Sequence, residues 1–332
     1  MKKCSSYIIH IWVKGGSAMK NKKSANHKLA TEQLEGLNKH FYSNYPSEYF
    51  LNRFQELVFK LSSSAEYAEF LNGKKFSYGE VSGTIEIASV DKLQEYAKIE
   101  LEELHIHCLE TFMRIFISRA TLSSCDWISI ADLSIINYHK YINKFSENNF
   151  DDLNDQMDSV SVIKYALTGS RSGSDGVSPE IISVWREWIV EAAKKLKDIK
   201  VYNAFKHGLA VHSNISGIYV KIDEDLEIGE HGDVIEIIEK HDNGDRYIWQ
   251  QRTEFLNCDR ICVEIYLFGN LIYNMIQIGK HIFLKKEIGD IWYPNEEFSI
   301  AEVSKLCSKK TESSNDIFPS ISSVTMELLY YK

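Results

Sequence analysis

Apolar residues recur at three- and four-residue steps over most of this chain, which is the spacing that places them on one face of an amphipathic helix. The longest such pattern predicts a single helix over residues 89–120, with Ser89 or Asp91 as its N-cap. The remaining patterns predict further helices, in chain order over 46–61, over a short segment that ends at Asn72-Gly73, over 128–145, over 151–167, from Pro179 to 199 with continuation through 201–211, and over about 261–283.

The hydrophobic period changes from helical to alternating after residue 212. The stretches GIYVKID, DVIEIIE and RYIWQQRTEF predict strands, and the last two flank Asn243-Gly244, a dipeptide typical of tight β-hairpins. A Gly-punctuated segment over 77–89 predicts a further strand or an extended loop. The predicted fold class is therefore mainly α, an antiparallel helical bundle with a small C-terminal α+β part that holds a β-hairpin or sheet and a long helix.

Changes in composition divide the chain into four segments. We expect residues 1–18 to be an upstream extension, because the codons of Lys14-Gly15-Gly16 can read as a ribosome-binding site just before Met19. Residues 169–178 have the composition of a flexible loop. The predicted segments are a loose N-terminal arm (1–40), N-terminal helices with an extended segment (41–88), a helical core (89–212) and a C-terminal hairpin and helix region (213–332).

The composition narrows the function classes. A formal net charge of −9 disfavours broad, non-specific binding of nucleic acid, which needs clustered Lys and Arg. The 6 cysteines form no CxxC pair, which is typical of a protein in the reducing cytoplasm. Apolar runs fall short of the roughly 18 residues that a membrane span needs. We therefore expect a cytoplasmic protein that does not act at a membrane.

The stretch VYNAFKHGLAVH, residues 201–212, holds the densest set of chemically useful side chains, and the helical pattern continues through it. On a helix, Asn203 and His207 lie four residues apart on one face, with Tyr202 and Lys206 beside them. A histidine can transfer protons near neutral pH, while an amide and an ammonium group can hold a phosphate. The set therefore suits binding or cleavage of a phosphodiester without a metal. The alternative is structural, because a histidine followed by glycine often satisfies the last carbonyls of a helix.

A second polar set lies on the helix predicted over 89–120. His107, Glu110 and Arg114 are spaced i, i+3 and i+7, on one face and away from the apolar positions. The alternative interpretation is a solvated surface on which Glu110 and Arg114 form an ordinary ion pair. His105 and His107 point in nearly opposite directions on a helix, so they cannot share an ion, and neither a metal nor another cofactor is expected.

YNAFKHG resembles the motif helix of HEPN (higher eukaryote and prokaryote nucleotide-binding) domains, and HCLETFMR is similar to an H-x-x-E-x-x-x-R pattern of uncharacterised bacterial proteins that end in YN-x-x-KHG. The resemblance covers residues 89–212 and extends to the segment 125–128. It implies a bundle of four or five helices that often dimerises and that, in many members, is a metal-independent ribonuclease of toxin–antitoxin, abortive-infection or other antiviral defence systems. His207 matches the motif histidine and Asn203 the polar motif residue, whereas Tyr202 stands where the family has arginine.

Two functions follow from these residues. In the first, the protein is a defence or stress effector that cleaves single-stranded RNA, with His207 as general acid or base. Asn203 and Lys206 would orient the phosphate, and Lys206 or Arg114 would supply the charge that Tyr202 cannot, because tyrosine does not replace a guanidinium. In the second, the protein is a catalytically inactive binding or scaffold module whose motif residues form an interhelical network. A homodimer or a partner protein is compatible with either function.

Overall fold

The fold is mainly helical, with small antiparallel sheets, as the sequence predicts. The computed structural model describes residues 29–308 and 323–328, apart from gaps at 88, 152, 171–176, 207–210, 215–217, 224–225, 231, 243 and 245. The helices are α1 (Thr31–Asn44), α2 (Tyr49–Ser62), α3 (Ser64–Leu71), α4 (Val90–Ala120), α5 (Asp126–Asp132), α6 (Ile135–Ser146), α7 (Ser159–Thr168), α8 (Pro179–Lys197), α9 (Ile199–Lys206), α10 (Cys258–Leu284) and α11 (Ile300–Cys307). The strands are β1 (Lys75–Tyr78), β2 (Val81–Thr84), β3 (Val211–Asn214), β4 (Ile218–Asp223), β5 (Leu226–Glu230), β6 (Val234–Asp242), β7 (Tyr247–Phe255) and β8 (Ser323–Glu327).

Two long helices, α4 and α10, form the centre of the helical bundle, and α1, α2, α7 and α8 pack around them. The Ser89 hydroxyl accepts a hydrogen bond from the Lys92 amide, so Ser89 is the N-cap of α4. Phe112 of α4 and Phe268 of α10 are fully buried, with ring centroids 4.8 Å apart. The predictions of one helix from residue 89 to 120 and of a long C-terminal helix are confirmed.

Among the described residues, α10 alone has the length and the mean hydropathy, 1.4, of a membrane-crossing helix. Length and composition are the only grounds for this comparison with a membrane-crossing helix. Since 67% of the apolar stretch is buried inside the fold, the length and composition of α10 are equally typical of a buried core helix in a globular protein. The sequence pattern did not anticipate this, because polar residues interrupt the apolar positions of α10.

The predicted hairpin is confirmed as β6 and β7, which pair antiparallel from Val234↔Phe255 to Asp242↔Tyr247. β8 extends the sheet on the side of β7 and β3 on the side of β6, which gives the order β3-β6-β7-β8. One face of this sheet packs against the helices, since Ile235 and Ile237 are buried. Two further antiparallel pairs, β1 with β2 and β4 with β5, stand as separate two-stranded sheets.

Two of the predicted helices have the wrong extent. The helix expected over 128–145 is interrupted, because the Ser134 hydroxyl caps α6 by accepting from the Asn137 amide. The helix expected over 151–167 begins only with α7, where the Asp158 carboxylate accepts from the amides of Val160 and Ser161. In both cases a side chain that can cap a helix competes with continuation of the helical backbone.

The prediction that the helix from Pro179 continues through 201–211 is wrong. The Ser178 cap and Pro179 begin α8 as expected, but Asp198 leaves the helical conformation with a ψ of 79°. The chain resumes as the short helix α9, and Val211 already belongs to β3, which pairs with β6. His212 therefore lies on a strand and not on the motif helix.

Candidate functional site

The helical part of the motif stretch is α9, which the structure describes to Lys206. Asn203 is half-buried on this helix, as its neighbour Ala204 is. The side chains of Tyr202 and Lys206 lie outside what the structure describes, and so does the whole of His207. The proposed roles of those three residues therefore stay predictions.

The Arg114 guanidinium is held by its own part of the bundle. Its Nε donates to Glu110 Oε1 at 2.8 Å, and Nη1 lies 3.4 Å from the Leu133 carbonyl oxygen. The guanidinium also stacks 4.6 Å from the ring centroid of Tyr138 on α6. The predicted ion pair between Glu110 and Arg114 is confirmed, and the contacts of Arg114 run to the α5–α6 region.

His107 takes part in a different contact, although it shares the helix. It is exposed, and its ring centroid lies 5.1 Å from that of Phe50 and 6.2 Å from that of Tyr49, both on α2. The structure thus brings Glu110 and Arg114 together, while His107 faces α2.

Within the described part of the chain, the densest group of buried ionisable side chains surrounds His105, which lies two residues before His107 on α4. The His105 ring is fully buried between two carboxylates: Nε2 lies 2.7 Å from Glu264 Oε2, and Nδ1 lies 3.3 Å from Glu102 Oε2. Lys195 of α8 reaches the same nitrogen, with Nζ 3.1 Å from Nδ1, and lies 3.2 Å from Glu102 Oε1. Arg260 completes the group by pairing its Nε with Glu264. We call these five residues the His105 cluster.

Opposite charges inside the His105 cluster stabilise each other's ionised form. Burial by itself raises the pKa of Glu264, but the hydrogen bond with His105 and the electrostatic interactions with His105, Lys195 and Arg260 outweigh burial and lower that pKa to about 2. Burial also opposes ionisation of Glu102, whose pKa is lowered by Lys195 and His105. Desolvation opposes the charge on Lys195, yet Glu102 and Glu264 raise its pKa.

Contacts join every member of the cluster. Two carboxylates face two cations: Glu102 lies beside Lys195 and Glu264 beside Arg260, and the His105 ring contacts Glu264 through Nε2 and Lys195 through Nδ1. Lys195 thus bridges Glu102 and His105. Because the ring itself is sealed, the atoms available for chemistry or binding belong to Lys195, whose side chain is 37% exposed.

A cavity of about 290 Å³ opens beside the His105 cluster. Its wall includes Glu102, Lys195, Arg260 and Glu264, together with apolar residues such as Leu256 and Ile300. A second cavity, of about 330 Å³, adjoins it, because Glu191, Lys195 and Glu254 line both. Val201 of α9 lines the second cavity, so the motif helix begins at this cleft.

A further ionic group closes the sheet side of the cleft. Arg252 of β7 pairs with Asp198, just before α9, at 2.5 Å, and with Glu254. Lys200 of α9 lies 3.2 Å from Glu239 of β6. Burial raises the pKa of Glu254. The charge of Arg252 acts in the opposite direction but does not cancel this effect. The start of the motif helix is therefore tied to the sheet by charge pairs.

Sequence reasoning missed the His105 cluster. Glu102 and His105 fall among the apolar positions of α4, next to Leu101 and Leu104, and that position on the buried face was the available signal. Their partners on α8 and α10 come from helices whose packing the pattern does not specify. Within the described ranges, no group of three or more His, Cys, Asp or Glu side chains is placed to hold a metal ion.

Comparison of the chain with protein-family models, with curated proteins and with solved structures finds no match.

Proposed function

We propose that the protein is a cytoplasmic, HEPN-like helical module of a defence or stress system that acts by binding a partner protein and not by cleaving RNA. One observation carries the choice: Arg114 is engaged by Glu110, the Leu133 carbonyl and the Tyr138 ring. A nuclease with Tyr202 at the motif arginine position needs a substitute cation at the motif helix. Of the two candidates, Arg114 has its contacts within α4 and with the α5–α6 region, and the side chain of Lys206 lies outside the described residues.

The loss of a guanidinium is serious for phosphodiester chemistry. Arginine binds a phosphate through two parallel hydrogen bonds and stays charged in any medium that the protein meets, which a phenol does not reproduce. In the proposed module the polar residues of α4 serve the bundle itself, because a buried or half-buried charge is stable only when it is paired.

The cleft between α8, α10 and β7 is the binding site that the proposal implies. It carries fixed groups of both signs, with Lys195 and Arg260 among four glutamates in the wall of the smaller cavity. Side chains of both charges on a peptide segment complement such a wall better than a polyanion does, because uncompensated carboxylates repel phosphate.

An RNA-degradation assay with purified wild-type protein and His207→Ala tests the proposal. We expect no cleavage of single-stranded RNA by either protein. We also expect a lower melting temperature for His207→Ala, because the proposal assigns the histidine to an interhelical network. Cleavage by the wild type that His207→Ala abolishes contradicts the proposal. An unchanged melting curve contradicts the structural role of His207.

Metal-independent RNA cleavage is the second candidate, and one specific observation favours it. Lys195 and Arg252 line the same cavity as Val201, so cations do lie near the start of α9, although not those that the sequence suggested. If these cations replace the motif arginine, Lys195→Ala and Arg252→Ala lose RNA cleavage together with His207→Ala, while Arg114→Ala retains it.

A further inference from the structure

The sheet β3-β6-β7-β8 has an apolar face on the side opposite the helices. The pairings Ile238↔Gln251↔Met326 place Ile238 and Met326 on this face, and Trp249 and Tyr247 follow at alternate positions of β7. Leu328 joins them, because its amide donates to the Trp249 carbonyl. We call this set, which is Ile238, Tyr247, Trp249, Met326 and Leu328, the outer sheet face.

Each side chain of the outer sheet face is substantially exposed, with 56% for Ile238, 61% for Tyr247, 43% for Trp249, 41% for Met326 and 37% for Leu328. On the other side of the same strands, Ile237 and Ile248 are buried. Single exposed apolar residues are ordinary on a protein surface, but these five lie close together around Gln251, on β6, on β7 and at the end of β8, and so form one patch. Patches of this kind mark places where another surface binds.

We propose that the outer sheet face is the interface of a homodimer, in which a second copy of the chain covers it. A stable dimer interface buries about 800 Å² on each subunit, and roughly 65% of that is apolar in homodimers. Five large side chains, each about half exposed, supply apolar area of the order of several hundred Å². The patch therefore has the size that one half of such an interface needs.

The charges around the patch also favour a second copy. Lys240 and Asp242 lie at the same end of the face, where the Lys240 ammonium is 3.8 Å from the Tyr247 ring centroid and Asp242 pairs with Tyr247 across the strands. This border carries both signs, so it does not repel an identical surface, and it lacks the excess of cations that a nucleic acid requires. Exposed apolar side chains on one face of a sheet also suit face-to-face packing against a second sheet at about 10 Å.

Sedimentation equilibrium of the full chain, from about 1 to 100 µM, tests the interface. We expect the wild type to sediment with twice the 38.3 kDa of one chain. Ile238→Glu puts a charge on the β6 side of the face and is expected to raise the dimer dissociation constant at least tenfold. Met326→Glu does the same from another strand and serves if Ile238→Glu fails to fold. Leu306→Glu is the matched control, because Leu306 is 80% exposed on α11, and it is expected to leave the mass unchanged.

A wild-type protein that stays monomeric over the whole range overturns the homodimer, whatever other molecule covers the face. A dimer that persists unchanged in both folded glutamate variants, with native circular dichroism, overturns the assignment of the interface. Neither result depends on RNA cleavage, so this proposal and the proposed function fail independently.

Discussion

The imidazole of His105 lies 2.7 Å from the carboxylate of Glu264, although 159 residues separate the two along the chain. This contact joins α4 to α10, and Lys195 extends it to α8. One set of charged groups thus joins the two central helices to α8, which packs beside them. Removing one member takes a buried contact from its neighbours, which is costly because buried polar and charged groups need partners.

We expect His105→Ala to destabilise the protein by about 1–3 kcal/mol, because Glu102 and Glu264 each lose a buried hydrogen-bonding contact while Lys195 and Arg260 remain as their charged partners. Urea denaturation followed by circular dichroism measures the change. His107→Ala is the control, since His107 is exposed on the same helix, and a change within about 0.5 kcal/mol is expected. Equal effects of the two variants contradict a structural role for the cluster.

Stability should fall as the solution becomes acidic. The pKa of Glu264 is about 2 in the folded protein, below the ordinary value of about 4.3 for glutamate, so the unfolded chain binds its proton first. The stabilisation is complete above the ordinary pKa and is lost as pH falls towards 2, and it amounts to about 3 kcal/mol. Denaturation curves at a series of pH values measure it. Glu264→Gln should flatten this dependence between about pH 5 and 2; an unaltered slope argues against it.

Gly279→Ala should destabilise the protein by about 1–3 kcal/mol through overpacking. A Cβ at this position of α10 comes within 1.9 Å of the Tyr42 ring on α1, so one of the two helices has to move. Thermal denaturation measures the loss, and it should shrink in a Tyr42→Leu background. Gly36→Ala is the control, because its Cβ meets nothing within 4 Å on α1 and alanine favours the helix. Additive effects of Gly279→Ala and Tyr42→Leu contradict the predicted overlap.

Arg114→Ala should cost about 1–2 kcal/mol, the combined value of a half-buried ion pair and a cation–π contact. The thermal midpoint measures this loss. Arg53→Ala is the comparison, since the Arg53–Glu56 pair is 39% and 59% exposed and contributes little. If Arg114→Ala is as mild as Arg53→Ala, the guanidinium does not hold α4 to the α5–α6 region.

The sequence predicts local structure correctly where residues close together in the chain determine it. The Ser89 cap, the hairpin at Asn243-Gly244 and the pair of Glu110 with Arg114 follow from spacings of a few residues, so the sequence alone predicts them. The end of α8 at Asp198 was missed, because the apolar period continues past it while Arg252 of a distant strand holds the Asp198 carboxylate.

By itself the sequence determined a mainly helical protein with a C-terminal hairpin and long helix, because hydrophobic period and turn residues act over short distances. Only the tertiary structure decided which polar residues meet. It turned His105 inward between Glu102 and Glu264, placed Lys195 at the cleft, and directed Arg114 away from it. The physical reason is that the crossing of α4, α8 and α10 depends on side-chain packing between segments far apart in sequence, which no single pattern encodes.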